Sequence, residues 1–253
     1  MSDELIQKHF EKLWIDFRAR WCDNHDLAGA QAFSHDLAKI VFFHRVVNIS
    51  VDPAEVDRLI DDAIRLFQEK SFDCVFTLSP LDRPANLSER LVARGFTHGI
   101  TASAMVYVPP IAPSPVQSAA QVEVSDESDY DIWADVMCRS FDLPRAMGDV
   151  GRRVLFVPEV RCYLARVNGV PVGTTLLYSQ FGMGYIDLVG TLPEYRHQGV
   201  ASALLTQAVS DSQSLGNRWT TLEATTGSNV VRLYEKYGFR TAYHRQRYTM
   251  CHA

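Results

Sequence analysis

The chain lacks the long apolar run that a membrane-spanning helix requires. No stretch approaches the ~18–20 consecutive apolar residues that cross a bilayer. Its first residues, MSDELIQKHFEK, carry charge where a secretory signal peptide would be apolar. We therefore expect a cytoplasmic protein with no membrane partner.

The chain also lacks a concentration of basic residues and any Cys-x-x-Cys pair. Its 25 Lys and Arg against 30 Asp and Glu give a formal net charge of −5, whereas nucleic-acid binding depends on dense positive charge, so we expect no nucleic-acid partner. The five cysteines are widely spaced, which favours buried, reduced thiols over disulfides. Cys22, His25 and His35 match no familiar metal site, so we expect no metal.

What the chain does contain is enough apolar sequence for two modest domains, with 253 residues of which 47% are hydrophobic. The proline-rich stretch VPPIAPSPVQSAAQ, at Val108–Gln121, divides them. We place a first domain at 1–110, a linker at 111–121 and a second domain at 122–253. Helix and strand patterns on both sides predict an α/β fold with a mixed sheet.

In the first domain, VDPAEVDRLIDDAIRLF predicts a helix with Asp52 as N-cap, Pro53 at the first position and Glu55 at the third. Further elements are predicted from hydrophobic periodicity and from turn-forming residues between the apolar runs. They are a strand at Cys74–Leu78, a helix around Asn86–Ala93 and a strand at Ile100–Val108.

The second domain has a richer predicted order. The dipeptide Asn168-Gly169 between two apolar runs predicts a hairpin. The predicted elements are a helix at Ser128–Phe141, strands at Arg161–Val167, Val170–Tyr178 and Gly184–Thr191, a helix after Gly199 that ends at Gly216, a strand at Trp219–Ala224, a helix at Asn229–Tyr237 and a strand at Tyr243–Met250.

The two halves contain similar segments. Aligning Gly95 with Gly238 matches NLSERLVARGF, Asn86–Phe96, to NVVRLYEKYGF, Asn229–Phe239, without a gap. Asparagine, glycine and phenylalanine coincide, and strand patterns flank both segments. We interpret this as an internal repeat. The alternative is an unrelated α/β domain in the first half.

The stretch LPEYRHQGVASALL lies where a strand leads into a helix. The first N–H groups of a helix have no internal partners and carry the positive end of its dipole, so such a turn can bind phosphate. Gly199 would let a ligand approach the backbone closely. On spacing alone, a solvated helix cap is an equal alternative. We call Arg196–Ala201 the signature turn.

LPEYRHQGVASALL resembles the R/Q-x-x-G-x-G/A signature of the GNAT superfamily of acyl-CoA-dependent N-acyltransferases. NVVRLYEKYGF resembles the superfamily's second landmark, and the order of elements between the two landmarks is also similar. The resemblance covers about Val122–Met250 and implies a GNAT fold with acetyl-CoA as acyl donor. The first half lacks the signature and has Leu91 at the place of Tyr234, so we expect it to be a degenerate GNAT-like copy.

The resemblance also implies the residues that bind acetyl-CoA. The backbone of Leu188, Val189 and Thr191 would pair with the pantetheine arm, with Gly190 as a bulge where the strand leaves its neighbour. Asn229 and Tyr234 would face the arm. Arg196 would add a fixed positive charge nearby, and the pyrophosphate would be held by the backbone N–H groups of His197, Gln198, Gly199, Val200, Ala201 and Ser202.

Catalytic roles follow from the same resemblance. Tyr234 lies where many members place the acid that protonates the departing thiolate. Histone-acetylating members have a glutamate at the position of Tyr185, so this chain departs from that pattern. Asp187, on the same face of the strand, is the first candidate base. Glu223, on the next strand, is the second candidate.

These features predict an N-acetyltransferase in which a primary amine attacks the thioester directly. The alternative from another class is a non-catalytic acyl-CoA-binding or partner-docking protein on the same scaffold. An aminoacyl-transferring relative is disfavoured by the acidity of the chain and by the intact CoA signature. The expected partner is a small-molecule or peptide amine, and the sequence leaves open whether the chain forms a homodimer.

Overall fold

The computed structural model describes residues 3–36, 42–108 and 118–252. They form two compact units. The first unit runs to Ala104 and adds Ala224–Ser228 and the residues from Ala242 onward, while the second unit holds Met105–Glu223 and Asn229–Thr241. Most of the linker expected at 111–121 lies outside the described residues, and the boundaries expected at 110 and 122 stay a prediction.

The first unit has three helices and a mixed sheet among its described residues. Its sheet order is β1-β2-β3-β4-β11-β5, with β3 and β4 parallel. The elements are α1 Asp3–Trp21, β1 Asp23–Asp26, β2 Gln31–Ser34, β3 Arg45–Val47, α2 Val56–Glu69, β4 Cys74–Leu78, α3 Leu87–Ala93, β5 Thr97–Tyr107 and β11 Phe239–Met250, the last two running on into the second unit.

The start predicted for α2 is wrong by several residues. Asp52 does not cap the helix, because its carboxylate accepts the N–H of Ala54 at 2.8 Å and its carbonyl accepts that of Glu55 at 2.9 Å. These bonds close a separate turn, and the helix begins after Glu55. The apolar residues Val56, Leu59, Ile60, Ala63 and Phe67 of α2 are nevertheless buried in the unit's core, and the helix packs against β4 and α3.

The last strand of the chain completes the sheet of this unit. Strand β4 pairs antiparallel with β11, from Cys74↔Met250 to Leu78↔Gln246. The hydroxyl of Thr97 on β5 donates to the carbonyl of Thr249 on β11 at 3.1 Å. The neighbour of β4 on this side is therefore β11 and not β5, which follows β4 in sequence.

The second unit builds its sheet in the order β10-β9-β8-β7-β6. Strands β6 to β9 are antiparallel neighbours, and β9 and β10 are parallel. The predicted hairpin turn is present, with left-handed φ values of +51° at Asn168 and +79° at Gly169. The elements are β6 Gln121–Ser125, α4 Tyr130–Ser140, β7 Val160–Val167, β8 Val170–Gln180, β9 Met183–Thr191, α5 Val200–Ser214, β10 Trp219–Thr225 and α6 Asn229–Lys236.

The repeated segments have the same local geometry in each unit. Gly95 and Gly238 are left-handed, with φ of +88° and +87°. Each glycine N–H donates to the carbonyl three residues earlier, at 3.0 and 3.1 Å. Phe96 and Phe239 are each 2% exposed. Because turn, hydrogen bond and buried ring all coincide, the geometry supports an internal repeat.

Four cysteines are buried as expected, and Cys251 is exposed. Among the described residues, no helix combines the length and the apolar character needed to cross a membrane. The same ranges contain no group of three or more His, Cys, Asp or Glu side chains placed to hold a metal ion.

Two glycines let helices approach the sheet of the second unit. A Cβ at Gly173, on β8, would lie 2.6 Å from Cγ1 of Val200 at the start of α5. A Cβ at Gly190, on β9, would lie 2.8 Å from Cβ of Ser140 at the end of α4. Both distances are shorter than van der Waals contact, so these positions set how closely α4 and α5 pack.

We predict that Gly173→Ala lowers the free energy of unfolding by about 1–3 kcal/mol, because the added methyl overpacks the contact with α5. Urea denaturation measures this loss. Gly99→Ala is the matched control, since the nearest atom to its Cβ is the carbonyl oxygen of Arg247 at 3.8 Å. Equal stabilities of the two variants would contradict the prediction.

Candidate active site

The candidate site begins where the parallel strands β9 and β10 separate. Their paired residues are Met183↔Trp219, Gly184↔Thr220 and Tyr185↔Thr221. Both strands continue beyond the last pair, to Thr191 and Thr225. The diverging segments leave backbone groups on facing edges of two strands, where an extended ligand can pair with them.

Strand β9 has a bulge shortly after its last pair with β10. The register with β8 passes from Leu176↔Asp187 to Thr174↔Gly190, so two residues of β9 stand opposite one of β8. Leu188 is left-handed, with φ of +54°. The bulge is therefore at Leu188, and the expectation that Gly190 would form it is wrong.

Hydrogen bonds explain why a non-glycine residue takes the left-handed conformation. The carboxylate of Asp187 accepts the N–H of Leu188 at 2.8 Å. The hydroxyl of Thr175 donates to the carbonyl of Asp187 at 2.9 Å. Gly190 is instead an ordinary paired residue, whose missing side chain makes room for Ser140.

The signature turn has the backbone shape of an anion-binding loop. His197 and Gly199 are both left-handed, with φ of +62° and +78°. The N–H of Ala203 donates to the carbonyl of Gly199 at 2.9 Å, so the N–H groups of the three residues before Ala203 precede the first α-helical bond of α5. These groups carry the positive end of the helix dipole, and the alternating conformations form a nest for an anion.

Two exposed side chains of the turn donate hydrogen bonds to the protein's own carbonyls. The Arg196 guanidinium donates to the carbonyls of Ser140 at 3.1 Å and Thr191 at 3.4 Å. The Gln198 amide donates to the carbonyl of Glu194 at 3.1 Å. Arg196 thereby joins the end of β9 to the C-terminus of α4, where a cation is electrostatically favoured. Its cofactor-binding role stays a prediction.

Tyr234 lies on α6 and is 6% exposed. Its ring centroid is 6.0 Å from that of Phe239. Burial, and next the negative charge of Asp187, raise the pKa of Tyr234 above its ordinary value. The phenol therefore remains protonated at neutral pH and can donate a proton or a hydrogen bond.

The two candidate bases occupy matching places on the diverging strands. Asp187 and Glu223 each come two residues after the last pair, Tyr185↔Thr221. Both are partly buried, whereas Tyr185 is 1% exposed. Asn229, the first residue of α6, is exposed. The site residues expected from the sequence thus fall on one edge of the second unit, and their roles stay predictions.

Sequence reasoning missed residues that position this site. Ser140 supplies a carbonyl to Arg196 and packs against Gly190, but nothing in its local sequence marks it. The sequence does indicate a special role for Gly173, because a glycine inside a strand often marks a close approach of another element. Leu188 carries no such signal, since leucine is among the residues least expected at positive φ.

One comparison with known proteins bears on the family of the second half. Residues 126–239 match the model of the acetyltransferase (GNAT) family. No curated protein matches the chain in sequence.

Solved structures with the same fold extend over both halves. A GCN5-related N-acetyltransferase from Kribbella flavida is 18% identical, with a TM-score of 0.74 over 96% of this chain and 95% of that one. One from Sphaerobacter thermophilus is 18% identical, with a TM-score of 0.64 over 88% and 76%. A tandem GNAT protein from the clavulanic acid biosynthesis pathway is 14% identical, with a TM-score of 0.63 over 88% and 78%.

We predict that Asp187→Asn lowers the pKa of Tyr234 toward the ordinary tyrosine value of about 10. The amide oxygen still accepts the Leu188 N–H, but the negative charge that favours the neutral phenol is gone. Phenolate absorbance, with Tyr234→Phe as the blank, measures the shift over the pH range in which circular dichroism shows an intact fold. Asp142→Asn is the control. An unchanged Tyr234 titration in Asp187→Asn would contradict the assigned cause.

Proposed function

We propose that the protein transfers an acetyl group from acetyl-CoA to a primary amine, because residues 126–239 match the model of the acetyltransferase (GNAT) family. The divergence of β9 and β10 beside the signature turn carries this proposal. The separated strands provide backbone edges for an extended arm, and the signature turn provides a positive helix terminus for phosphates. Both lie in the second unit.

The donor would bind through the backbone. Leu188, Val189 and Thr191 present strand groups to the pantetheine arm, and the N–H groups of His197 to Ser202 bind the pyrophosphate. Asn229 and Tyr234 border the arm. The donor supplies an acetyl carbonyl activated by its thioester. These residues fit it, because left-handed conformations at 197 and 199 directly before a helix start are a backbone pattern that favours an anion.

The residues around the bulge would act on the reacting groups. The N–H of Val189 stabilises the negative charge that develops on the acetyl oxygen when the amine attacks. Tyr234 gives its proton to the departing thiolate, because its raised pKa keeps the phenol protonated at neutral pH and its hydroxyl can donate.

The amine must lose a proton before or during attack. Asp187 is placed to accept it through water, and Glu223 is the second candidate. Asp187 also holds the bulge through the Leu188 N–H. A comparison of Asp187→Asn with Asp187→Ala separates the two roles, because asparagine keeps that hydrogen bond and alanine does not.

Direct attack in a ternary complex is favoured over an acyl-cysteine intermediate. Burial raises the pKa of Cys162 to about 12 and also raises that of Cys138. Both thiols of this unit are therefore protonated at neutral pH, and a thiol is a poor nucleophile.

We predict that CoA raises the melting temperature of the wild-type protein and not that of Ala201→Glu. A glutamate in the first turn of α5 suits the helix dipole, so the variant folds, but its charge repels the pyrophosphate. Thr206→Glu, one turn further on an exposed position, is the control. Absence of any CoA shift in the wild type would overturn the proposal.

Turnover of acetyl-CoA over a panel of amines then tests catalysis. The panel contains peptide N-termini, lysine side chains, amino acids, polyamines and aminoglycosides. Release of free CoA that depends on one amine class supports the enzyme. CoA binding without turnover of any amine would instead support a non-catalytic acyl-CoA-binding protein.

We predict that Tyr234→Phe lowers kcat by about 10²–10⁴-fold, the usual contribution of a positioned acid. The dissociation constant of acetyl-CoA should change little, since phenylalanine keeps the ring packed against Phe239. Tyr237→Phe is the control, because Tyr237 directly follows the last residue of α6. Wild-type turnover in Tyr234→Phe would remove the tyrosine from the mechanism.

A further inference from the structure

The first unit has its own pair of diverging parallel strands. Strands β3 and β4 are paired at Val46↔Phe76. Beyond this pair the chain continues through Ile49 on one side and Ser79 on the other, each three residues further on. Strands β9 and β10 of the second unit are likewise parallel and stop pairing before they end, and there we place the arm of acetyl-CoA.

A buried carboxylate bridges these two strands. Asp82 accepts the N–H of Ile49 at 2.7 Å with Oδ1 and the N–H of Ser79 at 2.6 Å with Oδ2. Its side chain is largely buried, and this burial raises its pKa to about 6. At neutral pH the ionised carboxylate therefore satisfies one N–H from each diverging strand, which are the groups an inserted ligand would otherwise use.

The next residue pairs with the strand extension as a short strand would. The N–H of Arg83 donates to the carbonyl of Ile49 at 2.8 Å, and the N–H of Val51 donates to the carbonyl of Arg83 at 3.3 Å. Ser50 and Arg83 form a parallel bridge. The Arg83 guanidinium also donates to the carbonyl of Pro80 at 2.9 Å, which holds the segment in its folded shape.

Chain length explains why only the first unit has this feature. Eight residues, Ser79–Asn86, connect β4 to α3, whereas three residues, Thr226–Ser228, connect β10 to α6. Three residues span at most about 10–11 Å, which suffices to reach the helix but not to turn back between strands. The extra residues of the longer connection are those that contact Ile49 and Val51.

We propose that the segment Ser79–Arg83 is a built-in substitute for an acyl-CoA arm, so that the first unit is closed to acyl-CoA by its own backbone. The comparison with the second unit rests on the proposed function, but the closure itself is a property of the first unit. One chain then binds one acetyl-CoA, and the first unit cannot become a second acetyl-transfer site.

Amide hydrogen exchange tests the closure in the protein without ligand. The N–H groups of Ile49, Ser79 and Arg83 should exchange slowly, and acetyl-CoA should leave their rates unchanged while it protects residues 188–191. Asp82→Ala should speed the exchange of Ile49 and Ser79 by about tenfold or more, because each loses a charge-assisted bond. Asp26→Asn is the control, since Asp26 accepts the N–H of Ala28 in an exposed turn at 3.1 Å.

Two results would overturn the closure. One is rapid exchange of Ile49 and Ser79 in the wild type, a measurement that needs no variant to fold. The other is a calorimetric stoichiometry of two acetyl-CoA per chain, or protection of residues 49–51 by acetyl-CoA. If acetyl-CoA binds nowhere, the proposed function fails, while the exchange rates of the ligand-free protein still decide the closure.

Discussion

The second unit depends on the point at which two parallel strands stop pairing. Strands β9 and β10 stop pairing after Tyr185↔Thr221, and β9 bulges at Leu188, three residues further on. The bulge persists because the Asp187 carboxylate accepts the Leu188 N–H. One side chain therefore both holds the strand edge in its bent form and places a charge beside Tyr234.

Close packing around this point keeps the signature turn in place. Gly173 admits the start of α5, and Gly190 admits the end of α4. Arg196 then joins the α4 terminus to the end of β9 through two carbonyls. The turn is thus held from several sides before any ligand binds, which lowers the entropy lost when an anion is bound.

In the first unit, the segment Ser79–Arg83 bonds to the chain beyond the point where the parallel strands β3 and β4 stop pairing. Its connection after β4 has the length to fold back, and Asp82 has the two acceptor oxygens needed to join both strands. The second unit has a short connection instead, together with a left-handed turn at the start of its helix. Loop length and turn conformation therefore distinguish two units with similar strand order.

The sequence by itself determined most of the elements and the resemblance of the second half to the GNAT superfamily. Periodicity and the Asn168-Gly169 turn act through local backbone preferences, so helices and hairpin could be predicted from neighbours in the chain. The pairing of β4 with β11 and the bond of the Ile49 N–H to Asp82 join residues far apart in sequence, and local preferences do not specify them. Only the tertiary structure decided that Leu188, not Gly190, has the left-handed conformation of the bulge, because Thr175 on β8 bonds to the Asp187 carbonyl and Ser140 on α4 packs against Gly190, which outweighs the intrinsic preference of glycine for positive φ.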